Sequence, residues 1–262
     1  MCNLKIKKQQ GLTLIEIMIS LLLGLIVIGA TITIYISTIK SSSDTIGSAR
    51  LNHDLESTMS LMLNDIKRAG YSGGAIVDFD SRDNPFTNGT VTDIQIHTIV
   101  NATTVTTAIT TAAGLPGNCI LYSYDSDNDG VVDDNERYGF RLIGSSIDIR
   151  KTGTSNSDCS DTAGTWEEFV IGDELNITNF QISFLPIGTV IGTTRCLNVT
   201  ANTVAATTCT ISFDDGNITV GDQVAEKRVV NIVLEGELDN DDAVIKTLTG
   251  TVQVRNDRVF EQ

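Results

Sequence analysis

The apolar positions fall into three regimes along the chain, and each predicts a different element. From residue 14 to residue 39 the only ionisable side chains are Glu16 and Tyr35, and about 20 apolar residues suffice for a helical membrane span. After three serines at 41–43 the pattern narrows to one stripe, Leu51, Leu55, Met59, Met62, Ile66 and Ala69, at spacings of three and four that mark one face of a helix. Arg50, Asn52, Asp54, Glu56, Asn64, Asp65 and Lys67 fill the opposite face, so this half must bury one side against a domain. Gly70, followed by Gly73 and Gly74, supplies the stop. Unbroken from 12 to 69, the helix would be roughly 87 Å long at 1.5 Å per residue. A coiled coil would need sustained heptads, which one short stripe does not give. Beyond the glycines the sequence turns to β-branched and aromatic runs bounded by turn residues, predicting strands at 91–100, 120–124, 138–143, 147–150, 169–185, 229–238 and 244–254. Val252 and Val254 alternate with Gln253 and Arg255, as in an antiparallel strand with one wet face. The threonine-rich 103–111 suits an edge strand or a loop, and 75–117 otherwise carries no assignment. The fold class is α+β: a long N-terminal helix, membrane-spanning in its first half, packed on an antiparallel β-sheet head.

Flanking charge gives the apolar helix a direction. Lys5, Lys7 and Lys8 precede it with no acid among them, which places the N-terminus in the cytoplasm and the bulk of the chain outside. A secretory signal would have a shorter apolar run ending in a small-residue cleavage site. Cys2 lies before the run, so a lipid anchor finds no support. Glu16 costs about 2.5–3.5 kcal/mol at a bilayer centre and less near the interface, so something must compensate it. The chain carries a formal charge of −15, which repels phosphate backbones and argues against nucleic-acid binding. Lys67-Arg68 and Lys227-Arg228 read as solvated faces. Roughly 190 residues follow the helix, enough for one sizeable core.

Cys119, Cys159, Cys196 and Cys209 are an even number in a part of the chain that faces an oxidising compartment, which predicts two disulfides. Four cysteines permit three pairings. Local loop closure favours Cys196 with Cys209, leaving Cys119 with Cys159. Zinc is disfavoured, since no Cys-x-x-Cys spacing occurs and His53 and His97 stand alone.

One segment carries metal chemistry. Residues 125–136, Asp-Ser-Asp-Asn-Asp-Gly-Val-Val-Asp-Asp-Asn-Glu, complete the calcium-loop pattern D-x-D-x-D-G with glutamate six residues after the glycine. Calcium takes six to eight oxygens; Asp125, Asp127 and Asp129 would give carboxylates, Val131 its carbonyl, Asp133 a direct or water-mediated ligand, and Glu136 a bidentate closure around the turn at Gly130. The flanking segments read as strands, so the loop joins a hairpin, and the helix opening of sensor proteins does not carry over. Asp, Asn and Gly are also plain turn formers, but the five ligand carboxylates crowded together repel one another without a cation. Magnesium suits so many protein oxygens less well.

Lys8-Gln-Gln-Gly11 followed by Leu-Thr-Leu-Ile-Glu-Ile-Met resembles the class III signal of type IV prepilins. The resemblance implies cleavage by a prepilin peptidase between Gly11 and Leu12, N-methylation of Leu12, and retention of the apolar helix. It implies that Glu16 pairs with the terminal amine of a neighbouring subunit during assembly. Leucine stands where phenylalanine is commonest. Residues 63–71, Leu-Asn-Asp-Ile-Lys-Arg-Ala-Gly-Tyr, and 250–256, Gly-Thr-Val-Gln-Val-Arg-Asn, resemble PilW-type minor pilins. The implied organisation is a cleaved leader at 1–11, a membrane or filament-core helix at 12–40, an amphipathic half at 41–70 and a periplasmic or extracellular pilin-like head at 71–262. The implied partners are other minor and major pilins, the prepilin peptidase, the inner membrane and a tip adhesin, with the protein moving from the inner membrane to the pilus. The same residues allow a type II secretion pseudopilin or a membrane-anchored calcium-binding adhesin. No G-x-S-x-G, H-E-x-x-H or phosphate loop points to an enzyme.

Overall fold

A computed structural model describes residues 11–261 except 74–83, 88, 102–103, 110–115, 171–174, 185–194, 199, 201–202, 206–220 and 240. The chain divides into two compact units, Met1–Ala49 and Arg50–Gln262. Helix α1 (Leu14–Ile66) runs through both. In the first unit its apolar side chains are all solvent-facing, and the helix is long and apolar enough to cross a membrane. In the second unit the stripe read from the sequence is the buried one: Leu51, Leu55, Met59, Met62 and Ile66, with Ala69 beyond the helix. The helix is shorter than its expected 12–69 span. Thr13 caps its start, and at its end Arg68 and Ala69 bond back three residues, to Asp65 and Ile66, which tightens the last turn until the Gly70 N–H leaves for the Ser123 carbonyl at 2.8 Å.

Among the described residues the strands form three antiparallel sheets. The six-stranded sheet has the order β2-β1-β3-β4-β5-β6, where β1 is Gln95–Asn101, β2 Thr104–Ile109, β3 Cys119–Ser123, β4 Arg137–Ile143, β5 Ser146–Gly153 and β6 Gly164–Val170. β7 (Leu175–Ser183), β11 (Val229–Leu238) and β12 (Asp241–Gln253) make the order β12-β11-β7. β8 (Arg195–Asn198), β9 (Thr203–Ala205), β10 (Gln223–Lys227) and β13 (Arg258–Glu261) make β13-β10-β8-β9. A short helix α2 (Gly89–Thr92) precedes β1, at the start of the strand expected from 91. The expected 169–185 strand is two strands on different sheets, and 103–111 contains the edge strand β2. The pleat sends Ile120, Tyr122, Phe140 and Ile147 of the first sheet, and Ile177, Phe180, Ile182, Val230, Ile232, Leu234 and Val252 of the second, into one cluster with the helix stripe. Gly250 lets the helix come close: a Cβ there would lie 2.7 Å from the Met59 sulfur and 2.9 Å from Leu63.

Two polar knots brace this core. Tyr122 and Tyr124 donate from their hydroxyls to Asp65 at 2.5 and 3.0 Å, and Arg68 lies over the Tyr124 ring at 4.0 Å. Burial, then the Asp65 charge, holds both tyrosines above their ordinary range. Arg228 is buried and paired with buried Asp93, which Arg258 also approaches at 3.4 Å; the solvated-face expectation is wrong for Arg228, because a buried carboxylate needs a cation beside it. Asn156 docks the 154–163 loop. Its carbonyl takes the His97 Nε2–H at 2.9 Å, and its amide nitrogen donates to the carbonyls of Thr92 and Asp93 and to Ser123 Oγ.

Sheet edges differ in how open they are. β7 is bonded beyond its sheet, from the Ile177 N–H to Ser145 and through paired bonds between Ile182 and Gly117. β6 carries Glu167 and Glu168, β13 carries Arg258 and Glu261, β9 is three residues long, and β2 pairs through two register irregularities. β12 spans 13 residues and, among the described residues, bonds through β11 alone.

Candidate functional site

Gly11, Leu12 and Thr13 precede the helix as exposed, irregular chain, so the Gly11–Leu12 bond lies in an accessible segment. The first turn of α1 is closed reciprocally. The Thr13 N–H donates to Glu16 Oε2 at 2.9 Å, the Glu16 N–H donates to Thr13 Oγ1 at 3.3 Å, and the Thr13 hydroxyl donates to the same carboxylate at 2.9 Å. This is a capping box, which satisfies two of the donors a helix start leaves open. It gives Glu16 a partner within its own chain. The residues were legible as T-x-x-E, but Thr13 went unread because Glu16 dominates an apolar run.

The acidic loop joins β3 to β4, as the strand-like flanks predict, with a single short 3-10 turn, Asp134–Glu136, before β4. Asn128 and Gly130 take left-handed conformations, φ 66° and 77°, and fold the carboxylates inward. Oxygens of Asp125, Asp127 and Glu136 lie within 4.8 Å of one another, as do those of Asp127, Asp129 and Asp133. Asp125 and Glu136 are buried. Asp125 accepts from the N–H groups of Asn128 at 2.6 Å and Gly130 at 3.0 Å. Glu136 accepts from the N–H of Ser126 at 2.6 Å and of Asp133 at 3.1 Å. Desolvation, then the charges of Asp129, Glu136 and Asp125, raise the Asp127 carboxyl, while the Asp129 N–H opposes them. Five of the six expected ligands are thus carboxylates on a tight turn, in two close groups that share Asp127, oxygen donors of the kind a hard cation takes.

The loop is tied to the chain that follows α1, a connection the sequence did not reveal. The Asp125 N–H donates to the Tyr71 carbonyl at 2.9 Å, the Gly73 N–H donates to Asp125 Oδ2 at 2.8 Å, and the Tyr71 hydroxyl donates to Asn128 Oδ1 at 3.0 Å. The bend between β12 and β13 clasps the same helix end: Asn256 donates to the carbonyls of Arg68 and Ala69, and the Arg255 N–H to that of Lys67. Segments 63–71 and 250–256 therefore meet.

Cys119 and Cys159 form a disulfide that ties β3 to the 154–163 loop. Cys196 lies in β8, but its side chain and Cys209 fall outside the described residues, and so does their pairing.

Residues 44–254 match the family described as prepilin peptidase-dependent protein B. The chain belongs to that family. Residues 6–32 match the prokaryotic N-terminal methylation motif, which covers Gly11, Leu12, Thr13, Glu16 and much of the apolar half of α1. No curated protein and no solved structure matches the chain. Membership in the prepilin peptidase-dependent protein B family makes this a type IV pilin-like minor pilin, processed by the peptidase and assembled with other pilins. The exposed apolar helix fits inner-membrane anchoring before assembly.

Proposed function

We propose that this protein is a PilW-like minor pilin that enters the initiation or tip complex of a type IV pilus, with its leader in the cytoplasm and its head in the periplasm until assembly. The observation that carries this reading is the methylation motif set on a capped, fully exposed apolar helix that continues into the core of a β-rich head. Cleavage at Gly11 frees the Leu12 amine. Glu16 then exchanges its Thr13 contacts for the amine of a neighbouring subunit, a charge-assisted pair stronger than a neutral hydrogen bond, while apolar burial at about 25 cal/mol per Å² drives the helices together. The work is assembly rather than catalysis. The head's acidic loop holds calcium through Asp125, Asp127, Asp129, the Val131 carbonyl, Asp133 and Glu136; the bound ion would neutralise the crowded carboxylates and stiffen the β3–β4 connection.

Intact mass spectrometry of protein from membranes and from sheared filaments tests the reading. A mass beginning at Leu12 plus one methyl group, present in the sheared fraction, is expected. A full-length species confined to membranes would overturn it. Loss of piliation in a deletion strain supports the pilus, whereas loss of protein secretion with piliation intact would assign the chain to a type II secretion pseudopilus.

A further inference from the structure

Among the described residues, strand β12 is the long open edge of the head. Natural sheets protect their edges with charge, shortness, bulges or covering chain, and the other edges here use such devices. β12 uses them only at its start, where Asp241, Asp242, Lys246 and one register shift against β11 lie; it is the longest described strand, and from Thr247 to Gln253 it has no charged residue and no proline. Thr247, Thr249, Thr251 and Gln253 are solvent-exposed. Alternate main-chain N–H and C=O groups of such an edge point outward, unpaired.

Beside this edge, on the helix side, lies a pocket of about 340 Å³ lined by Glu56, Met59, Ser60, Leu63, Asn64, Leu248 and Thr249. A strand added outside β12 would send every second side chain toward α1, into a pocket whose floor is apolar and whose acid, Glu56, has no ion-pair partner among the described residues. In β-strand addition, main-chain bonds supply affinity and pockets for alternate side chains supply specificity. The head carries both parts. Its charge adds a third constraint: on a chain of net −15, an acidic strand is repelled and a basic side chain opposite Glu56 is favoured.

We propose that the outer edge of β12 pairs with an extended strand of another pilin-type head, free of acidic residues, that places an apolar residue in the Met59–Leu63–Leu248 pocket and a lysine or arginine against Glu56. The nature of the partner rests on the assembly reading above; the edge and pocket do not.

The test uses the full-length protein in detergent micelles and a short end-blocked peptide of alternating threonine and valine with one central lysine, followed by fluorescence anisotropy. Saturable binding is expected, weakened at least about tenfold, or 1.4 kcal/mol, by N-methylation of alternate peptide nitrogens and by Thr249→Lys. Glu56→Lys should reverse the preference toward the same peptide with glutamate in place of lysine. Thr249 is exposed, so an unchanged melting temperature shows the fold is kept; if that variant does not fold, the N-methylated peptide decides on the unaltered protein. Absence of binding, or binding indifferent to N-methylation, overturns the proposal. Self-association that Thr249→Lys abolishes also overturns it, by making a second copy the occupant. Mass analysis of the mature terminus reads processing separately, so failure here leaves that reading standing.

Discussion

His97 shows what one buried side chain does to the pH response of the head. It is fully buried, its Nε2–H is committed to the Asn156 carbonyl, and its Nδ1 has no hydrogen-bond partner. Burial lowers its pKa from the ordinary 6.5, with the Arg150 charge adding to this, while the Asn156 carbonyl and Asp158 oppose it. The unfolded chain therefore binds the proton first. His97 contributes fully to stability above about pH 6.5, and that contribution is lost as the pH falls from 6.5 toward the lower folded value, at about 1.4 kcal/mol for each unit separating the two. Thermal melts between pH 7.5 and 5 should show a fall that flattens in His97→Gln, whose amide nitrogen reaches the same carbonyl; an equal fall in both proteins would remove His97 from the account. The sequence showed His97 only as an isolated histidine inside an expected strand. Its meaning depends on Asn156, 59 positions away, and no local pattern encodes that distance. Glu16 is the opposite case, because a charge in an apolar run and its partner Thr13 are three residues apart.

Elements set by local periodicity were legible; those set by pairing were not. The stripe from Leu51 to Ala69 announced the buried face of α1, since three- and four-residue spacing is geometry a sequence cannot hide. β11 fell on the expected 229–238. The short strands β8, β9, β10 and β13 went unassigned because three to five residues carry too few alternations to stand out from a loop unless, as in β3, they are mostly apolar and aromatic. The β3–β4 connection and the spacing of its acids were readable, since both are local, yet its ties to Tyr71 and Gly73 were not. That loop carries its own prediction: in calcium about tenfold above the dissociation constant, binding to the native state alone adds about 1.4 kcal/mol, or roughly 3–6 °C for a domain of this size. Differential scanning fluorimetry should show this rise in the unaltered protein and none in Asp125→Asn with Glu136→Gln. Those substitutions keep carbonyl acceptors for the loop N–H groups but remove the charges. A rise of the same size in the variant would place the ion elsewhere.

Over the whole molecule, the second half of α1 is one wall of the core of the head. Leu55 would meet a Cβ on Gly236 at 3.2 Å, and Met59 would meet one on Gly250 at 2.7 Å, so residues nearly two hundred positions apart close the same interior. A chain begun at Tyr71 should show no cooperative melt by circular dichroism, having lost every member of the Leu51–Ala69 stripe, each worth about 2–5 kcal/mol if a large one is cut to alanine. A cooperative melt from that fragment would mean the sheets hold themselves. Distance along the chain also sets a timetable. Synthesis delivers the helix first and β12 nearly last, and contacts of such long sequence separation form slowly. For most of its biogenesis the nascent protein therefore holds an apolar helical face that still lacks its β11–β12 wall. That side of the core closes only when the final strands arrive.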